Sequence, residues 1–172
     1  MRRKNLMKDD SMKGKIMNPF AMLCFGFAIG AAARLLDIFT VNLGEVFSQM
    51  AVWILMGTLI SVYSRTAKCA MANVLAFCLG MLPTYYLAAA LSHGVYSIKF
   101  IIGWTVFALC SPVMAYLAWL TKERGIFAQI VRVGIVAASI LSSILLFDGL
   151  HIYDFLIDGI LIYLLFFKKV NR

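Results

Sequence analysis

Residues 46–91 read VFSQMAVWILMGTLISVYSRTAKCAMANVLAFCLGMLPTYYLAAAL. Two uncharged runs, 46–64 and 69–91, flank the basic connection Arg65-Thr66-Ala67-Lys68. A helix rises 1.5 Å per residue, so about 20 residues cross the roughly 30 Å hydrocarbon core of a bilayer. A transmembrane strand would alternate polar and apolar residues, and neither run does. The stretch predicts two antiparallel membrane-spanning helices joined by a tight turn.

Working outward, the same test finds apolar runs at 18–36, 100–120, 126–147 and 152–167. The expected fold is therefore all-α: a polytopic membrane helix bundle of about six transmembrane helices. It divides the chain into a basic tail (1–17), a transmembrane domain (18–167) and a second short basic tail (168–172). The last run is the shortest and contains Asp158. Snorkelling of Lys168 and Lys169 or local thinning of the bilayer makes up its length. Composition agrees. Apolar residues are 63% of the 172-residue chain and charged residues 14%, against about 45–50% and about 25% in soluble domains. A soluble fold cannot hide that much apolar surface behind so few charges.

The formal charge of +8 comes from 16 basic and eight acidic side chains. If six helices alternate in direction, thirteen of the 16 basic residues fall on one side: the N-terminal tail, Arg65, Lys68, Lys122, Arg124 and the C-terminal tail. Lys and Arg in short loops mark the cytoplasmic face, so both termini are expected there. The clusters orient the chain in a membrane. They do not form the basic stripe of a nucleic-acid-binding face, and no nucleic-acid partner is expected. Short loops point to the plasma membrane of a bacterium. A cleavable signal peptide ending near Ala31-Ala32-Ala33 fits poorly, because apolar residues run on past the alanines with no polar region before the cut.

The outer face gathers the opposite character: Asp37, Glu45, Asp148 and Asp154, with His93 and His151. Arg34 and Asp37 are spaced to pair on one helical face. They read either as an interfacial salt bridge or as an anion-recognising arginine at a cavity mouth. Asp154 and Asp158, four apart, face one way. Asp154 suits a helix N-terminus, whereas Asp158 lies a turn deeper, where an acid must be paired, protonated or wet. With His151 and Asp148 it would make a cation or proton site, and with Arg34 a tie between spans one and six. Gln49, with Tyr85 and Tyr86, is a candidate wall of a polar pocket. Arg132 is expected to snorkel to the inner headgroups, and Asn73 to hydrogen-bond between helices.

Gly26, Gly30 and Arg34 share a face of span one, with Ala28 and Ala32 as a neighbouring stripe. Small residues let helices approach closely, so this is a packing interface whose partner is either another helix of the chain or another subunit. Pro83 and Pro112 lie inside spans three and four. Each removes a helical N–H, which gives either a packing kink or backbone exposed at a binding site.

Cys24, Cys69, Cys78 and Cys110 form no CxxC and stand apart from both histidines, so no metal site and no disulfide framework is expected. Neither a phosphate-binding GxxxxGK[ST] loop nor HExxH nor GxSxG occurs, and no enzyme activity or cofactor is expected.

The segments Ala51-Val-Trp-Ile-Leu-Met-Gly-Thr-Leu-Ile-Ser61, Ala72-Asn-Val-Leu-Ala-Phe77 and Met81-Leu-Pro-Thr-Tyr-Tyr86 resemble a family of uncharacterised small bacterial multi-pass membrane proteins, a domain of unknown function. The resemblance implies no activity and no functional residues. In architecture alone, six short-looped helices look like the substrate-binding subunits of energy-coupling-factor transporters. Those subunits use a small-residue seam on their first helix to contact a partner, and none of their vitamin-specific signatures occurs here. The expected function is a small-solute transport component with an outward-facing polar site: Arg34, Asp37, Gln49, His151, Asp154 and Asp158. Its partners are the lipid bilayer and a membrane protein or further copies of itself. The alternative is an accessory or structural membrane protein acting through the Gly26 and Gly30 face.

Overall fold

The computed structural model describes residues 17–40, 49–92, 98–146 and 150–168. Among them there are six α-helices and no strand. The helices are α1 (Pro19–Phe39), α2 (Met50–Tyr63), α3 (Ala67–Leu91), α4 (Ile98–Leu120), α5 (Ile126–Leu146) and α6 (Ile152–Ile162), the last continued by a π-helical turn, Tyr163–Phe167. Four of them are long and apolar enough to cross a membrane. α2 is shorter, at 14 residues, or about 21 Å by the helical rise. Residues 46–48, expected to open it, lie outside the described residues.

The chemistry of the caps sets the ends. Asn18 Oδ1 accepts the Ala21 amide at 2.8 Å, with Pro19 behind it. Proline suits this first helical position because its missing N–H has no helical partner to lose. Thr66 Oγ1 accepts the Cys69 amide at 3.1 Å, so α3 begins at Ala67, two residues before the apolar run. At the far end, Lys168 N–H bonds the Tyr163 carbonyl at 3.0 Å, the wider loop of the π turn. The Lys168 ammonium sits over the Tyr63 ring, 5.2 Å from its centre, and ties the ends of α6 and α2 together. A hydrogen bond with Tyr63 holds this ammonium above its ordinary pKa.

The helices run up and down. Arg34, late in α1, meets Ser92 at the end of α3, and Gln49, before α2, meets Tyr153 at the start of α6. The opposite end gathers Ser64, Asn73, Trp119, Lys122 and Arg132. There the Ser64 carbonyl accepts from Trp119 Nε1 at 3.2 Å and Lys122 Nζ at 2.7 Å. Asn73 Nδ2 donates to Ser64 Oγ at 3.0 Å and to the Met17 carbonyl at 3.2 Å. Asn73, expected to hydrogen-bond between helices, bonds instead the connection after α2 and the segment before α1. Arg132 forks onto the carbonyls of Thr121 and Glu123. It holds the connection that follows α4, whose own last carbonyls, from Ala118 to Leu120, accept from the amides of Thr121, Lys122 and Glu123.

α1 packs along α3 at backbone contact. A methyl on Gly26 would overlap the Phe77 carbonyl, one on Gly30 the Met81 carbonyl, and one on Gly80 the Leu23 carbonyl. The seam is reciprocal, with glycines from both helices. Ala28 is exposed and Ala32 half-buried, so the contact follows Gly26 and Gly30 and leaves the alanine stripe outside it. The main core, with Trp53, Val74, Phe77, Met81 and Ala115, lies among α1 to α4. A second cluster joins Val62 of α2 to Leu161 and Leu165.

The distribution of polarity is inverted relative to a soluble protein. Among the described residues, 32 large hydrophobics are exposed, including Phe39, Ile126 and Ile152, while Asn73, Ser139, Ser143, Asp154 and Asp158 are buried. Water does not tolerate an apolar surface on that scale. The arrangement is compatible with an integral membrane protein. Between α2, α3, α4 and α5 lies a cavity of about 90 Å³.

Candidate functional site

The expected site residues all lie at the end where α1 and α3 finish and α2 and α6 begin. They fall into two groups.

The first group is built on α1 and α3. Arg34 Nη1 pairs with Asp37 Oδ2. Its Nε and Nη2 donate to Ser92 Oγ at 3.2 and 3.1 Å, and Ser92 Oγ donates to the Ala89 carbonyl at 3.2 Å. Each of the three guanidinium nitrogens donates to a side chain of the chain itself. The cation sits over the last turn of α3, where the helix dipole favours positive charge. Of the two readings of Arg34 and Asp37, the geometry matches the salt bridge, extended to a second helix by Ser92.

The second group is built on α2, α5 and α6. Asp154 Oδ2 accepts the His151 amide at 2.8 Å and stands 3.6 Å from His151 Nδ1. This is the N-terminal role that its position suggests, in a side chain with no exposed surface. Its other oxygen, Oδ1, has no hydrogen-bond partner among the described residues. Gln49 donates from Nε2 to the Tyr153 hydroxyl at 3.2 Å, and its buried Oε1 also lacks a partner there. The His151 and Tyr153 rings stack with centres 5.1 Å apart. One turn deeper, Asp158 Oδ1 accepts from Ser139 Oγ at 2.6 Å, joining α6 to α5. Ser142 and Ser143 also turn their hydroxyls to the Ser139 carbonyl, at 2.7 and 3.4 Å.

Two expected associations are not formed. Asp158 is held by Ser139 on α5, so the proposed tie between spans one and six through Arg34 is replaced by one between α5 and α6. Gln49 meets Tyr153 and not the pair Tyr85 and Tyr86, which stack edge-on with each other at 5.4 Å. Asp148, Glu45 and His93 lie outside the described residues. The sequence reading passed over Ser139, Tyr153 and Ser92. The signal for Ser139 was present in Ser139-Ile-Leu-Ser-Ser143, a set of hydroxyls in an otherwise apolar run, which marks the inward face of a membrane helix.

Chemically, this second group is rich in acceptors. It presents two carboxylates and an amide oxygen, with His151 as the basic side chain beside them. Two of its buried acceptor atoms wait for a donor. No group of three or more His, Cys, Asp or Glu side chains suited to a metal ion occurs among the described residues.

A family of unknown function, DUF6518, matches residues 10–160. No curated protein and no solved structure matches the chain.

Proposed function

This chain belongs to the DUF6518 family of unknown function, and we propose that it is a small-solute transport component of a bacterial plasma membrane. In this reading it crosses the bilayer six times with both ends in the cytoplasm, and the end bearing Arg34, Asp37, Gln49, His151, Asp154 and Asp158 faces outward. It carries out no catalytic step and requires no cofactor or nucleic acid. It works with the lipid bilayer and a membrane-protein partner or further copies of itself.

One observation carries the reading. Asp154 and Asp158 are buried, at 0% and 7% exposure, within a bundle whose outer surface is apolar. Carboxylates inside a membrane are costly, and where they occur they face substrate, ion or proton paths. Helix ends can be capped by neutral groups, as Asn18 and Thr66 do here, so structure alone does not call for two acids. The alternative, an accessory protein acting through the Gly26 and Gly30 face, loses its surface because α3 already fills that face. The likeness to energy-coupling-factor subunits keeps one small-residue stripe on the first helix, Ala28 and Ala32, which the contact with α3 leaves outside.

The test compares cells producing the wild-type chain, Asp154→Asn, Asp158→Asn or no chain. Depletion of small solutes from the medium is followed by mass spectrometry, and the amount of chain in the membrane is measured alongside. The expected result is a solute depleted only with the wild-type chain, and lost in both variants at normal abundance. Depletion indistinguishable from cells without the chain overturns the transport reading. Normal depletion by both variants removes the two acids from the site.

A further inference from the structure

The 90 Å³ cavity between α2, α3, α4 and α5 has a wall that is apolar except at a few points. It is open because Gly57, Ser61, Ala115 and Ala138 are small where the helices face one another. A methyl added at Gly57 would meet only Val74 Cγ1, at 3.9 Å, so a single extra carbon would reduce the space without a clash. The bundle therefore keeps a hollow that its own backbone could easily fill.

The polar points are specific. Ser111 is 3% exposed, and its Oγ has no hydrogen-bond partner among the described residues beyond a weak interaction with the Cys78 thiol. Hydroxyls can donate once and accept twice, and a thiol satisfies neither need well. Pro112, the next residue, lies inside α4. Because proline has no N–H, the Ala108 carbonyl loses its helical donor, one turn from Ser111. Ser111 thus places an unmet hydroxyl in the wall of the cavity. A water on Ser111 Oγ would occupy about 30 Å³, a third of the space, and would leave the apolar remainder unfilled.

We propose that this cavity is a binding site for a small uncharged molecule with a compact apolar body and one hydroxyl-type head. The head bonds Ser111 Oγ, and the body lies against Trp53, Phe77 and Ala138. An apolar cavity of ~150 Å³ holds benzene, so a molecule of about four non-hydrogen atoms suits this one. The inference goes beyond the transport reading and does not need it, because it concerns occupancy and not movement.

Cys78 of α3 lines the cavity, while Cys110 of α4 is exposed. Two full-length chains are compared in lipid nanodiscs, one retaining only Cys78 and the other only Cys110, with the remaining cysteines changed to alanine. Each is treated with methyl methanethiosulfonate, which adds one methylthio group to a thiol, in the presence of increasing 1-propanol. The expected result is reaction of folded Cys78, slowed several-fold by 1-propanol, with no slowing at Cys110. Ser111→Ala should raise several-fold the 1-propanol needed, and Gly57→Ala should weaken the protection by narrowing the space. Equal slowing at both cysteines would show partition into lipid only and overturn the proposal. So would a Cys78 that reacts only after unfolding in dodecyl sulfate, or protection unchanged by both Ser111→Ala and Gly57→Ala. None of these readings involves uptake, so failure here leaves the transport experiment to be decided separately.

Discussion

At the residue scale, charge and polarity in this chain are used in two different ways. Arg34 is held by Asp37 and Ser92 near the end of the bundle, where the Asp37 side chain is 35% exposed. Exposed pairs of this kind contribute ~0–1 kcal/mol, so Arg34→Ala should lower stability by about 1 kcal/mol or less. Buried pairs behave differently. Ser139→Ala takes away the donor to Asp158 and leaves a buried acid short of a partner, which costs about 1–3 kcal/mol. Asp158→Asn keeps an oxygen for Ser139 and should cost less than Ser139→Ala. Reversible unfolding in mixed micelles measures all three, and a larger loss for Arg34→Ala than for Ser139→Ala would contradict this ordering. The sequence made Arg34, Asp37, Asp154 and Asp158 stand out because each breaks an apolar run. It could not say which acid meets which donor. That depends on how α5 is rotated about its axis, and a side chain as small as Ser139 barely disturbs the pattern.

At the element scale, α1 is fixed to α3 by glycines that let carbonyls approach where a side chain would stand. In a lipid solvent, where apolar burial between helices gains little, such close packing is a principal source of association. Alanine at Gly26, Gly30 or Gly80 forces the two backbones apart, and overpacking of this type costs roughly 1–3 kcal/mol. Gly134 and Gly159 have nothing within 4 Å of an added methyl, so alanine there should be tolerated or slightly stabilising. Thermal denaturation of the five variants in one detergent checks this. Equal effects at all five positions would mean that the seam is not where the bundle is held. The spacing of Gly26 and Gly30 was enough to predict a close-packed face. It did not reveal the partner helix, because the third glycine, Gly80, stands alone in its own segment. Helix ends were legible to within a few residues, and the misses have a cause. Hydropathy stops at the last apolar side chain, whereas Thr66 caps α3 through Lys68 and its first turn, and α4 starts before Lys99.

At the scale of the whole molecule, the helix count follows from a repeated physical test, the length of apolar runs against bilayer thickness. The up-and-down order rests on the contacts of Arg34 with Ser92 and Gln49 with Tyr153. The bundle buries hydroxyls, amides and carboxylates while exposing leucine, isoleucine and phenylalanine, and a membrane is the solvent that rewards that exchange. In the proposed topology this bundle spans the bilayer six times with its basic ends inside. Cysteine labelling of intact cells tests it most directly. The four native cysteines are first changed to alanine, and one new cysteine is placed at Asn42, Glu123 or Asn171. A membrane-impermeant maleimide is then applied before and after lysis. The six-span topology predicts labelling of Asn42→Cys on intact cells, and of Glu123→Cys and Asn171→Cys only after lysis. Labelling of Asn171→Cys on intact cells would show that the sixth helix does not cross, and equal labelling of all three before lysis would contradict the topology altogether.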